Sequence, residues 1–267
     1  MLPRSFILVS AVFIASLPAM AQKQFSALVV ALPSEYHFEY ISVARESFRR
    51  LAEVHHFELE FTSVAWPVEG DLSGYDAIVF LNTNAGLLNE DERANFQRYI
   101  RSGKGFVAVH WAVGRREEWE WYADLVGRSF TIHPIIQSGV AQVEDGSHPA
   151  TLSLPERFVW TDEWYEVAPA EHSGLHTLLS VDESTYDPTW IWPGQEAHGM
   201  GADHPVSWCH EFEGSRVFVT TLGHLPAAYA EPRFLDHLYG ALYWAATGRG
   251  WDRGEEVGEA DSGSPVP

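Results

Sequence analysis

The chain has 267 residues, 46% of them apolar and 13% aromatic, enough to bury the core of one α/β domain. Its 37 acidic against 17 basic residues leave a net charge of −20, and such a surface repels phosphate backbones and anionic lipid, which argues against nucleic-acid and membrane partners. Cys209 is the only cysteine, so an intrachain disulfide and cysteine-rich zinc motifs are excluded.

The first residues carry Arg4, an apolar run from Phe6 to Leu17, and the small residues Ala19 and Ala21. That three-part pattern reads as a secretory signal peptide over 1–21, too short in its apolar part to span a bilayer comfortably. The mature protein is therefore expected to be exported, periplasmic or secreted, with no membrane insertion after processing. Residues 22–250 are expected to form one domain. Residues 251–267 are acidic and rich in Gly, Ser and Pro, and read as a disordered tail.

Phe25 to Leu32 is an apolar run bounded by Pro33, the pattern of a strand buried on both faces. From Phe38 to Leu51 the apolar residues Ile41, Ala44, Phe48 and Leu51 recur at helical spacing. Phe57 to Val64 alternates like a strand, and Tyr75 to Leu81 is a second buried run. Asn89 with Glu92 forms a capping box that starts a helix, and Gly103 stops it. Gly105 to His110 is the next buried strand. The resulting β-α-β-β-α-β order predicts a parallel sheet with right-handed crossovers. Thr131 to Asp187 reads as short strands, such as Gly139 to Val143 and His176 to Val181, among long loops. Val206 to Phe212 and Arg216 to Leu222 read as a hairpin turning at Gly214, and Pro232 to Thr247 as a helix.

Ligands of open parallel sheets bind at the carboxyl ends of the strands. His37, His110 and His224 each stand at or just beyond such an end, so they could share one pocket. There an imidazole can move a proton, bind metal or hydrogen-bond a hydroxyl. The plainer alternative is that each is a loop or core histidine with a local partner. Asp162, Glu163, Trp164 and Tyr165 form a second cluster. Neighbours in an extended segment face opposite ways, so only one of the two carboxylates can face a pocket without a turn. A carboxylate beside aromatic rings suits a sugar, whose hydroxyls donate to the carboxylate while a ring covers its CH face. An acidic loop beside core tryptophans fits as well. A divalent metal stays open: no short motif signals one, and a site built from distant histidines plus Asp162 is invisible to spacing rules.

In order along the chain, His37, the run from Gly103 to His110, Gly127 to Phe130 with His133-Pro134, His148-Pro149, Asp162 to Tyr165, Pro205 to Trp208, Gly214 to Phe218, and Leu222-Gly223-His224 resemble the trehalose-utilisation (ThuA-like) family. The resemblance spans roughly residues 25–248 and implies a flavodoxin-like fold of the class I glutamine amidotransferase type, with a mostly parallel central sheet and helices on both faces. In amidotransferases the strand-to-helix elbow carries a nucleophilic cysteine. Here His110 and Trp111 occupy that stretch, so thioester chemistry is not expected. The resemblance points to carbohydrate metabolism, with a small-molecule sugar or keto-sugar as substrate for a hydrolase, lyase or isomerase. His110, His224 and Asp162 or Glu163 are the catalytic candidates; His37, His133, His148, Tyr165 and Trp208 are the substrate-binding candidates. His133 and the Asp162 segment are placed at the sheet edge by the resemblance alone. A non-catalytic sugar-binding or interaction module is the alternative. The Trp-, Pro- and Gly-rich segment 185–203 reads as a lid or as a variable surface loop.

Overall fold

The computed structural model describes residues 22–63, 70–168 and 174–251. The expected signal peptide, and the tail beyond Trp251, lie outside the described residues. In chain order the elements are β1 (Ser26–Val30), α1 (Tyr40–His55), β2 (Glu58–Thr62), β3 (Ala77–Leu81), α2 (Glu90–Arg101), β4 (Gly105–Val109), α3 (Glu120–Val126), β5 (Phe130–Ile132), β6 (Gln137–Val143), β7 (Arg157–Asp162), β8 (Glu166–Val167), β9 (His176–Asp182), β10 (Pro205–Phe212), β11 (Ser215–Thr220) and α4 (Pro232–Thr247). Among the described residues no helix is long and apolar enough to cross a membrane.

Nine strands form one sheet in the order β2-β1-β3-β4-β11-β10-β9-β6-β7. The pairings from β2 through β11 are parallel, and those from β11 to β7 are antiparallel. The parallel half follows from the apolar runs. In β1, Ala27 and Val29 pack on one face under α1 and α4, while Leu28 and Val30 pack on the other under α2. The inner strands β3 and β4 are covered on both faces and are apolar throughout, while the edge strand β2 carries Glu58 and Glu60. The antiparallel half hangs from the β10–β11 hairpin. Its two-residue turn is Glu213-Gly214, both at positive φ (47° and 87°), the geometry that matches strand twist. The expected parallel pairing thus holds from β2 to β11, and this hairpin reverses the chain direction beyond it.

Helix α2 begins at the expected capping box: Asn89 accepts from the Glu92 amide at 3.0 Å, and the Asn89 amide donates to the Glu92 carboxylate at 2.8 Å. Strand β7 alternates strictly, with Phe158, Trp160 and Asp162 buried and Arg157, Val159 and Thr161 exposed. The buried aspartate at its inward end breaks the apolar pattern and hides the strand from a hydrophobicity reading.

Helix α4 presses against the loop at Pro149-Ala150, where Gly240 permits contact: a Cβ on it would lie 2.1 Å from the Pro149 carbonyl oxygen. His237 of α4 donates from Nδ1 to the Ala150 carbonyl at 2.8 Å, and the Ala150 amide donates to His148 Nδ1 at 3.1 Å. Burial pushes both imidazoles down to about 4. The unfolded chain takes up protons near the ordinary value of 6.5, while the folded one refuses them until about pH 4. Stability contributed by these neutral rings is thus present above pH 6.5 and lost as pH falls toward 4. At pH 5 the loss should be about 2 kcal/mol per histidine. Denaturant unfolding at pH 7 and pH 5 should show this drop, much reduced in a His148→Gln/His237→Gln variant. An equal drop in parent and variant would contradict it.

Candidate functional site

Three strand ends of the parallel half meet at one edge. Beyond β3, Asn82 adopts φ +48°, and beyond β4, His110 adopts φ +55°, a left-handed conformation uncommon for residues other than glycine. Beyond β11 the chain passes Thr221 and Leu222 to Gly223, at φ +116°, and His224. A Cβ on Gly223 would meet Phe234 and the Tyr229 hydroxyl at 3.0 Å, so only glycine fits this bend.

The His224 bend is held by Asp162, at the end of β7. Its fully buried carboxylate accepts from the amides of Gly223 (2.8 Å), His224 (3.1 Å) and Glu163 (3.0 Å), and from the Trp160 indole (2.9 Å). All its lone pairs are engaged, so Asp162 does not face the cleft. The next side chain, Glu163, turns the other way. Its Oε2 lies 3.2 Å from His224 Nδ1, 3.3 Å from His110 Nε2 and 3.5 Å from His133 Nε2.

His110 has a defined tautomer. The Thr221 carbonyl can only accept, so Nδ1–H donates to it at 2.7 Å, leaving the Nε2 lone pair toward the cleft, where the Tyr165 hydroxyl donates at 2.8 Å. His37 completes the group. Its ring centroid is 5.2 Å from those of both His110 and His224, and it stacks on Trp111 at 5.7 Å. Ser34 Oγ is 3.2 Å from its Nδ1, while its buried Nε2 has no hydrogen-bond partner among the described residues.

Burial, with the neighbouring imidazoles adding to it, pushes His37 down to about 3. Burial also lowers His133. For Glu163, burial acts upward, but the imidazoles of His110, His224 and His133 around it hold its carboxyl well below the usual carboxylate range. For His224, burial acts downward and is outweighed by the hydrogen bond and charge of Glu163, so its value rises. One carboxylate thus serves several imidazoles.

His37, His133, Glu163, Tyr165 and His224 floor a cleft of about 850 Å³, with His110 fully buried behind them. Tyr36, Trp111, Phe130 and Trp192 supply aromatic lining, with Arg115 and Gln195 among the polar groups. Its size suits a small molecule largely enclosed by protein. The segment 185–203 contributes Trp192 and Gln195. Its far end is clamped by Glu183, which accepts from the Met200 and Gly201 amides at 2.7 and 3.0 Å, and by Glu166, which accepts from His198 and Gly199 at 2.8 and 2.7 Å.

The structure therefore brings His37, His110, His133, Glu163, Tyr165 and His224 together and leaves three expected residues elsewhere. Asp162 is spent on backbone donors. His148 sits beneath α4, its ring 5.1 Å from Trp244 and 6.2 Å from Phe218. Trp208 is fully buried, its indole donating to the Val126 carbonyl at 2.8 Å. Trp111, Arg115 and Trp192 had no distinguishing signal, since nothing in their spacing separates a cleft wall from a core. Cys209 lies in the core in β10, where burial pushes its thiol up to about 12. For a metal, His37, His110, Glu163 and His224 each offer a donor atom, all within 4.8 Å of one another.

Because Asp162 satisfies two amides of the His224 bend, Asp162→Asn should destabilise the fold by about 2–3 kcal/mol, as one acceptor becomes a donor facing donors. Denaturant unfolding measures this; a parental midpoint would show that the anchor is dispensable.

Residues 26–245 match the family described as ThuA, trehalose utilisation. Comparison with curated proteins found no match. A ThuA-like protein from Bacteroides uniformis superposes with a TM-score of 0.69 at 25% identity, over 86% of this chain and 95% of that one. A ThuA-like protein from Parabacteroides merdae gives a TM-score of 0.68 at 18% identity, over 86% and 92%. A β-galactosidase from Rahnella sp. R3 shares the fold alone, with a TM-score of 0.53 at 11% identity over 84% of this chain and 31% of that enzyme. The match over most of its length shows that this chain belongs to the ThuA, trehalose-utilisation family.

Proposed function

We propose that the mature protein is an exported enzyme of sugar or keto-sugar catabolism, of hydrolase, lyase or isomerase type, without glutaminase activity. The observation that carries this reading is Glu163 held within 3.5 Å of three imidazole nitrogens at the foot of an aromatic cleft. An imidazole can take a proton from a substrate hydroxyl or from a carbon beside a carbonyl, and return it to a leaving oxygen. Glu163 stabilises the imidazolium formed meanwhile. Trp111 and Trp192 offer faces for the CH surface of a sugar ring, and Arg115 and Gln195 can hydrogen-bond its hydroxyls. The family description supports the substrate class. The absence of glutaminase activity rests on Cys209, whose thiol is buried and kept protonated in β10, away from the cleft floor.

Turnover of disaccharides and their 3-keto forms by the mature protein tests the reading. Glu163→Gln should lower the rate on the active substrate by roughly 100-fold or more. A panel in which sugars bind but none is converted would replace the enzyme with a sugar-binding protein. For export, N-terminal sequencing of protein recovered outside the cytoplasm should begin near Gln22; retained Met1 would defeat the signal-peptide reading.

A further inference from the structure

We propose that the cleft floor is a divalent-metal site suited to zinc, formed by His110 Nε2, His224 Nδ1, Glu163 Oε2 and the free Nε2 of His37. The separations of the first three atoms carry the argument. His110 Nε2 to His224 Nδ1 is 3.3 Å, His224 Nδ1 to Glu163 Oε2 is 3.2 Å, and His110 Nε2 to Glu163 Oε2 is 3.3 Å. Four ligands at 2.0–2.1 Å from a tetrahedral ion stand about 3.3–3.4 Å apart. The three atoms therefore already form one face of such a tetrahedron.

The tautomer of His110 agrees. Its Nδ1–H donates to a backbone carbonyl, which fixes the ring and turns the Nε2 lone pair inward. That outer-shell bond is the usual companion of a metal-binding imidazole. Without a metal, that lone pair accepts the Tyr165 proton and Glu163 accepts from His224 Nδ1–H. A cation at the point these atoms surround takes the place of those protons as the shared partner. His37 supplies the second, independent observation: its Nε2 is buried without a partner among the described residues, and a buried polar atom left unsatisfied is destabilising. One ligand atom from each of these four residues lies within 4.8 Å of the others, so a short movement of His37 closes the set.

Three imidazoles and one carboxylate favour zinc over magnesium or calcium, which require mostly oxygen ligands. Beside the 850 Å³ cleft, such an ion could take a substrate carbonyl or hydroxyl as a fifth ligand and polarise it. That use of the metal rests on the sugar-enzyme reading; binding of the metal does not.

The test uses the chain from Gln22 to Pro267, stripped with a chelator and titrated with zinc chloride, or with cobalt chloride as an optical probe. The expected result is one equivalent of zinc by elemental analysis, a rise of several degrees in Tm, and a visible cobalt spectrum of low symmetry. His37→Ala and His224→Ala should each weaken binding at least tenfold, and His148→Gln, outside the cleft, should leave it unchanged. Circular dichroism confirms that the variants fold; if His224→Ala does not, His37→Ala decides. No stoichiometric zinc in the stripped and reloaded parent, or zinc retained undiminished by His37→Ala, overturns the site. Turnover by metal-free protein, with no zinc taken up, removes the metal and leaves the sugar reading standing. One tightly bound zinc, with no sugar converted, does the reverse.

Discussion

The carboxylate of Asp162 joins the two halves of the sheet at the one place where it matters for the cleft. It stands at the end of β7, the last strand of the antiparallel half, and binds the amides of Gly223 and His224, just beyond β11. Four donors converge on a fully buried anion, so it remains satisfied without water. Two consequences follow from this placement. The Gly223 bend is held in a conformation that only glycine adopts, with His224 aimed inward. The chain leaving Asp162 must also present its next residue, Glu163, on the opposite side, directly at the imidazoles.

Around that junction the protein concentrates groups that cost free energy to bring together. Asn82 and His110 lie in left-handed backbone at two neighbouring strand ends, and His37 buries an unpartnered nitrogen. Strain of this kind persists only where the surroundings over-determine it. Here they do: the Thr221 carbonyl and the Tyr165 hydroxyl grip both nitrogens of His110, and Asn82 donates to the Tyr229 hydroxyl at 3.0 Å. Glu163 faces these imidazoles directly, and burial acts against their charge. Glu163 raises His224, while His37, deeper among the rings, is held neutral.

The walls come from different parts of the chain than the floor. Trp111 follows directly on His110, so its position is inherited from β4. Trp192 belongs to the long segment after β9, held in place by the carboxylates of Glu183 and Glu166 on backbone amides. A floor on rigid strand ends and a wall on a clamped loop let the wall vary while the floor keeps its geometry. The relatives from Bacteroides uniformis and Parabacteroides merdae share the fold at 25% and 18% identity, which leaves ample room for such variation.

The parallel strands and α2 could be read from the residues because their causes are local. Strands buried on both faces are continuously apolar, a capping box is two residues three apart, and Glu213-Gly214 can make a two-residue turn by itself. For the same reason His37, His110 and His224 could be placed at one sheet edge: strand and crossover order fixes which end of a parallel strand each follows. The choice between Asp162 and Glu163 could be narrowed to one carboxylate but not made, because it depends on which face of β7 meets the Gly223 bend, some sixty positions later in the chain. Nor did any local pattern separate His148 from the cleft histidines; its place under α4 follows from the packing of Gly240 on Pro149. Hydrogen-bond partners such as His110 and His224 are 114 positions apart, and no periodicity links residues at that range. Tertiary structure decided those pairings, since only the packed sheet brings the ends of β4, β7 and β11 within one hydrogen-bond length of each other.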